Sequence, residues 1–142
     1  MLDTNIVLAW LLFEDPGCER LDAAIVAARL RWVASAAMRD ELVHVLGRGI
    51  ANGRKRDARS VLERWERWAM IVEPSDRPSP RDLRCSDTDD QKFIDLALQV
   101  GASALVSRDR AVLKLARRAA LHGLTIVTVA QWDAAPGHGV PS

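Results

Sequence analysis

The sequence predicts a three-layer α/β domain in which helices cover both faces of a mostly parallel β-sheet. Short apolar runs that favour strands alternate along the chain with amphipathic stretches of helical spacing. This alternation is typical of parallel strands joined by helical crossovers. The length of 142 residues suits one domain with its own hydrophobic core. We therefore assign residues 1–142 to a single domain and expect residues 130–142 to form a C-terminal tail.

The predicted strands are short apolar runs, and the first of them leads directly into a helical piece. Between the third and fourth runs lies a proline-rich segment, residues 73–87, in which proline removes backbone donors and opposes helix. We predict a loop there, long enough to suggest a functional role. The predicted strands lie at Leu2–Val7, Trp32–Ala34, Met70–Val72, Ala104–Val106 and Leu124–Val127.

The predicted helices carry apolar side chains three and four residues apart. Ser35 is a suitable N-cap after the second strand, and Gly101 stands just past the end of a later helix. The stripe that contains Trp65 and Trp68 predicts a core or dimer surface in preference to a base-stacking platform. The predicted helices lie at Cys18–Leu30, Ser35–Leu46, Lys55–Ala69, Asp90–Val100 and Arg110–Leu121.

The composition is that of an ordinary globular protein, with 49% hydrophobic and 27% charged residues. A net charge of +1 argues against a surface that attracts nucleic acid everywhere, although it permits local basic patches. Cys18 and Cys85 are far apart and lack metal-site spacing, so we expect free thiols in a reducing compartment. No segment approaches the roughly 18 apolar residues of a membrane span. We therefore expect a cytoplasmic protein without a membrane partner.

Four acidic residues stand near the ends of predicted strands or in the helices that follow: Asp3, Glu41, Asp90 and Asp109. An open parallel sheet binds its ligand at the carboxyl ends of its strands. Taken singly, each has an ordinary explanation, as a helix cap, a helix-start charge or a solvated side chain. Taken together, they predict a cluster whose repulsion needs a hard cation such as Mg²⁺ or Mn²⁺. Such a site can activate water and stabilise charge on a phosphodiester.

Four segments carry a resemblance to a known family. They are Leu2–Val7, with Asp-Thr-Asn after the first strand; Met38–Leu42, with a helical Glu; Asp87–Ala97; and Leu105–Leu113, with Ser, one residue and Asp after a strand. In this order and spacing they resemble the PIN domain. The chain looks most similar to VapC-like PIN proteins, the toxin components of toxin–antitoxin systems.

The resemblance implies a parallel sheet of about five strands and an endoribonuclease that depends on Mg²⁺ or Mn²⁺. It also implies RNA as substrate, a homodimer, and a cognate antitoxin protein that blocks the site. Hydrolysis by in-line attack of water would leave a 3′-hydroxyl and a 5′-phosphate. Carried over residue by residue, the catalytic and metal-binding set is Asp3, Glu41, Asp90 and Asp109.

Three further residues match or adjoin supporting positions of the family. Asn5 and Ser107 are expected to support the carboxylates by hydrogen bonding, and Asp89 is a neighbour that can take the place of Asp90. Two basic groups, at residues 48–67 and 108–118, either contact phosphates or form solvated helix faces. Within them we favour Arg108 and Arg110 as RNA contacts, because they flank Asp109.

Two other classes of function compete with the nuclease. One is a PIN-like module that binds RNA or protein without cutting, which the presence of all four carboxylates disfavours. The other is a phosphatase or receiver-type domain that uses Asp3 as phosphoryl acceptor. That chemistry needs a second Asp beside the acceptor and a positioned Lys, whereas Thr4 and Asn5 follow Asp3 here. The sequence therefore predicts a metal-dependent ribonuclease.

Overall fold

A computed structural model describes residues 1–54 and 56–134 of the chain. Short parallel strands alternate with helices along this length, as an α/β domain requires. The strands are β1 (Trp32–Ala34), β2 (Ala69–Ile71), β3 (Ala104–Val106) and β4 (Thr125–Val127). The helices are α1 (Thr4–Leu11), α2 (Glu19–Val26), α3 (Ala36–Val45), α4 (Ala58–Trp68), α5 (Gln91–Gln99), α6 (Arg110–Leu113), α7 (Ala116–Ala120) and α8 (Val129–Ala134).

The strands form two parallel pairs, and the expected sheet of about five strands is not what the described residues show. β1 pairs with β2, with Val33 opposite Met70, and β3 pairs with β4, with Leu105 opposite Ile126. A single parallel bridge joins Leu2 to the other side of β3 at Val106. The strands are only three residues long, which limits how many backbone bonds each can offer to a further neighbour.

The predicted first strand, Leu2–Val7, is wrong beyond its second residue. Backbone bonds tie Asp3 N to Val106 O at 3.1 Å and Val106 N to Met1 O at 2.9 Å. Helix α1 then begins at Thr4, because the Asp3 carboxylate accepts a hydrogen bond from the Ile6 amide at 2.9 Å and caps the helix. The apolar run suits a buried helix as well as a strand, and the cap decides between them.

Three predicted helices differ from the structure: two have other bounds, and one is divided. Asp57 caps α4 by accepting from the Ser60 amide at 2.8 Å, so that helix begins at Ala58, and residue 55 lies outside the described residues. Helix α2 ends at Val26, before Ala28 takes a left-handed φ of 59°. The predicted helix over 110–121 is two short helices, α6 and α7. Of the predicted tail, residues 130–134 belong to α8, and residues 135–142 lie outside the described part.

Helix α4 packs its apolar stripe into the core, as its spacing predicts. Val61 is 0% exposed and Trp65 2% exposed. Trp65 meets Trp32 edge-on with ring centroids 5.8 Å apart, and Trp32 meets Trp10 edge-on at 5.4 Å. Trp68 stacks on Trp10 at 5.8 Å. These tryptophans therefore join α1, β1 and α4 into one core and are not a platform for bases.

Both cysteines, Cys18 and Cys85, are buried free thiols. Burial in apolar surroundings raises the pKa of the Cys18 thiol to about 11, and the negative charge of Asp15 adds to this. Among the described residues, no helix combines the length and the apolar character that crossing a bilayer requires.

Candidate functional site

Ser107 connects the end of β3 to the first acidic residue of the chain. It is fully buried, donates a hydrogen bond from Oγ to Asp3 Oδ2, and accepts one from the Asp109 amide at 3.0 Å. Asp109 in turn caps α6, because its carboxylate accepts from the Ala111 amide at 2.8 Å. The bridge between Leu2 and β3 thus places Asp3 beside Asp109, although the two are far apart in sequence.

Asp3 is the most deeply buried carboxylate of the described chain, with an exposed fraction of 3%. Burial raises its pKa above the usual range, and the hydrogen bonds from Ser107 and from the Ile6 and Arg108 amides oppose that effect. The nearby charge of Asp109 raises the pKa further. Its two oxygens are therefore fixed in direction by the protein, as a site that binds a ligand reproducibly requires.

Three carboxylates gather at the N-terminus of α5 and the end of β3. Oxygens of Asp87, Asp90 and Asp109 lie within 4.8 Å of one another. Asp87 begins a short 3₁₀ turn over Thr88–Asp90, and its carboxylate accepts from the Asp89 amide at 3.0 Å. This turn leads directly into α5 and directs Asp90 towards Asp109. We call Asp87, Asp90 and Asp109 the Asp cluster.

The repulsion within the Asp cluster acts most strongly on the carboxyl group of Asp90. Burial, together with the neighbouring carboxylates of Asp109, Asp87 and Asp3, raises its pKa to about 7. Its Oδ2 atom is buried, and within residues 1–54 and 56–134 no group donates a hydrogen bond to it. A buried carboxylate oxygen without a donor is costly unless a cation compensates it. The site therefore fits a divalent ion that prefers oxygen ligands.

Glu41 lies on α3 and outside the Asp cluster. Its side chain is 26% exposed, and Oε1 pairs with Lys92 Nζ at 2.9 Å. Oε2 accepts a hydrogen bond from Thr4 Oγ1, which is the residue next to Asp3. Of the four carboxylates predicted from the sequence, the structure brings Asp90 and Asp109 into one cluster and places Asp3 beside them. Glu41 instead joins a lysine.

The predicted supporting residues divide into two groups. Ser107 bonds to Asp3 and to the Asp109 backbone, whereas Asn5 is exposed on α1. Asp89 is exposed, and its contribution is a backbone oxygen that accepts from Lys92. The side chain that joins the Asp cluster at this place is Asp87.

Sequence reasoning missed Asp87, Thr4 and Lys92 as members of the site. Each lies within one of the four motif segments, but its role depends on contacts that form only in the folded structure. Asp87 comes near Asp109 only through the 3₁₀ turn, and Lys92 reaches Glu41 across 51 residues of sequence. A run with Asp at 87, 89 and 90 is the signal that points to an additional carboxylate.

The two basic groups differ in how their charges are used. In the first, Arg56 pairs with Glu14 at 2.7 Å and Arg59 with Glu63 at 3.1 Å, so part of its charge is neutralised. The second group is exposed and forms no ion pair within the described ranges. It starts beside Asp109 and consists of Arg108, Arg110, Lys114, Arg117 and Arg118. We call it the α6–α7 basic face.

Comparison with known proteins gives one match. A family model described as "PIN domain" matches residues 1–111, which contain every carboxylate of the candidate site. No curated protein and no solved structure matches the chain. The matched region covers most of the sequence and includes α1, β1, α3, α5 and β3, the elements that carry the site.

Proposed function

The chain belongs to the PIN domain family, whose members are generally nucleases, and from this premise we propose that it is a metal-dependent endoribonuclease. The observation that carries the proposal is the Asp cluster, in which Asp90 has a buried oxygen without a donor and a pKa raised to about 7. Carboxylates crowded in this way destabilise the protein when no cation is bound, and they suit a site that binds one.

The residues that would hold Mg²⁺ or Mn²⁺ are Asp87, Asp90 and Asp109, because their oxygens lie at distances that one ion can bridge. Asp3 stands behind them, oriented by Ser107. When bound, the ion supplies positive charge to the phosphodiester and to the attacking water. Asp3, bonded to Ser107, and Glu41, paired with Lys92, complete the proposed catalytic set.

The α6–α7 basic face supports a nucleic acid as the substrate, and the choice of RNA rests on the family resemblance. Phosphate contacts dominate the affinity of proteins for nucleic acid. Arg108 and Arg110 stand on either side of Asp109, and both are exposed. Their guanidinium groups can bind phosphates next to the one that is cut, with the fork geometry that matches phosphate oxygens.

The biological role proposed here is that of a toxin, with a cognate antitoxin protein that covers the site, and its support is the resemblance of the four motif segments.

A homodimer is proposed on a separate observation. Met70 and Ile71 of β2 are 40% and 56% exposed, and β2 pairs with β1 alone among the described strands. An uncovered strand edge with apolar side chains favours pairing with a second chain. Sedimentation of the purified protein measures the oligomeric state.

The receiver-type alternative loses support from the geometry of Asp3. A phosphoryl acceptor must present a free carboxylate oxygen to its substrate. Asp3 is 3% exposed, its Oδ1 accepts from the Ile6 amide, and its Oδ2 accepts from Ser107. Neither oxygen is available for in-line attack on phosphorus.

The test is cleavage of labelled single-stranded, structured and transfer RNAs with Mg²⁺, with Mn²⁺ and with EDTA. We expect cleavage with metal that EDTA abolishes and that Asp90→Asn and Asp109→Asn reduce by at least ~10²-fold, since each removes a charged ligand. The matched control is Asp76→Asn, because Asp76 is an exposed carboxylate in the loop before α5. Folded protein that neither cuts RNA nor binds a divalent ion in calorimetry is the binding module and not the nuclease.

A further inference from the structure

We propose that the Lys92 ammonium is a resident cation of this site, which neutralises Glu41 where a second divalent ion would otherwise bind. The protein then binds a single divalent ion, at the Asp cluster, and Lys92 contacts the phosphodiester to be cut. This inference rests on the proposed nuclease function and adds to it the number of ions and a phosphate-binding residue.

The contacts of Lys92 fix its ammonium between two parts of the site. Nζ lies 2.9 Å from Glu41 Oε1 and also donates to the backbone oxygen of Asp89, next to Asp90. It stands 5.0 Å from the centre of the Phe93 ring, whose face favours a cation. An ammonium has three protons to donate. Two are used by Glu41 and Asp89, and the third is left for a phosphate oxygen.

The ion pair of Lys92 and Glu41 is less exposed to solvent than an ordinary surface ion pair. In the exposed pair of Arg59 and Glu63 the side chains are 87% and 65% exposed, whereas in Lys92 and Glu41 they are 29% and 26% exposed. Water therefore screens the second pair less. Lys92 also lies in the first turn of α5, where the helix dipole disfavours a cation. Its position follows from its contacts with the Glu41 carboxylate and the Asp89 backbone oxygen, and not from helix stability.

The surroundings of Glu41 leave little place for a second Mg²⁺. Both carboxylate oxygens have partners, Lys92 on one side and Thr4 on the other. Mg²⁺ requires near-octahedral oxygen ligands at about 2.0–2.1 Å and loses its water reluctantly. An ion at Glu41 would have to displace the ammonium and would meet its positive charge at close range. Binding at the Asp cluster carries no such cost.

The first measurement is the number of Mn²⁺ ions bound per chain, by calorimetry and by equilibrium dialysis without RNA. We expect about one ion for the wild-type protein and about two for Lys92→Met, because the variant frees Glu41 for a second ion. Arg59→Met is the matched control and should bind as the wild type does. Glu41→Gln should keep the single ion with an affinity within about twofold, whereas Asp90→Asn should lose it.

The second measurement separates binding from turnover on a cleaved RNA. Loss of a donor that contacts the reacting phosphate costs roughly 10²–10³-fold in kcat, so we expect Lys92→Met to lower kcat in that range and Lys92→Arg to recover part of it. Thermal melts establish that the variants are folded. Glu41→Gln tests whether Glu41 binds the ion without any change at Lys92.

Three outcomes would overturn the inference: two ions on the wild-type protein, loss of the single ion in Glu41→Gln, or wild-type cleavage by Lys92→Met. Each of them is compatible with RNA cleavage by the wild-type protein, so the nuclease proposal would stand. A wild-type protein that binds no ion and cuts no RNA overturns both proposals together.

Discussion

Asp90 shows how a single side chain opposes stability at a site built for a ligand. Its pKa is raised to about 7 by burial and by the carboxylates around it. The folded protein therefore holds a proton there over a pH range in which the unfolded chain has released it. Folding then becomes less favourable as the pH rises from the unfolded pKa near 4 towards 7, and stays so above it.

Replacing Asp90 by Asn should raise the melting temperature of the metal-free protein by several degrees at pH 8. The reason is that Asn needs no deprotonation in the cluster. The gain should vanish near pH 3.5, where the carboxyl is protonated in both states. Melts in EDTA at both pH values measure this, and Mg²⁺ should then stabilise the wild type but not the variant. A lower melting temperature of Asp90→Asn at pH 8 would contradict the argument, and Asp76→Asn serves as control.

At this scale the sequence predicted the residues that local position determines. Asp3, Asp90 and Asp109 adjoin a strand or open a helix, and from motif spacing they were predicted to lie together, as they do in the structure. Asp87 and Lys92 required the backbone path, because a 3₁₀ turn and a contact across 51 residues place them. Glu41 was predicted as a member of the metal set, but no sequence pattern shows that a lysine neutralises it.

Among the elements, α4 is the one whose apolar spacing in the sequence corresponds most directly to its packing in the core. Its N-cap Asp57 fixes where it begins, and its stripe places Val61 and Trp65 against the tryptophans of α1 and β1. Elements of this kind were well predicted, since β1 and β3 also have the bounds expected from sequence. Helix α1 was not, because an apolar run without polar alternation suits a buried helix and a buried strand equally.

Replacing Trp65 by Ala should destabilise the protein by about 3–5 kcal/mol, because it leaves a large cavity where Trp32 now packs. Leu121→Ala is the control, since that side chain is 85% exposed and its loss should change the free energy of unfolding by less than about 0.5 kcal/mol. Urea unfolding followed by circular dichroism measures both. Equal effects of the two substitutions would show that α4 does not pack as described.

For the molecule as a whole, the distribution of charge matters more than its sum. The net charge is only +1, yet the α6–α7 basic face presents, beside the Asp cluster, cations that form no ion pair with any residue of 1–54 or 56–134. In the first basic group, Arg56 and Arg59 are paired with acidic side chains. The sequence revealed both groups and favoured Arg108 and Arg110, but it could not show which cations are paired, because ion pairs such as Arg56 with Glu14 join residues that are distant in the chain.

RNA binding should therefore depend on salt through the α6–α7 basic face. With Asp109→Asn as a non-cutting background, each phosphate contact contributes about 0.7 to the slope of log K against log salt for a single strand. Arg110→Ala and Arg117→Ala together should lower the magnitude of that slope by about 1.4, whereas Arg59→Ala should leave it unchanged. Fluorescence anisotropy across a salt series measures the slopes. A larger change for Arg59→Ala would place the RNA on the other basic group.

The bridge between Leu2 and Val106 determines when, during synthesis of the chain, the candidate site can form. The hydrogen bond from Ser107 to Asp3 closes a span of 104 residues, and β3 needs β4 as its second neighbour. A chain growing on the ribosome therefore carries Asp3 without the side chain that orients it until Ser107 has been synthesised, because contacts so far apart in sequence form late. For a nuclease of the kind proposed, the site cannot form before that point in translation.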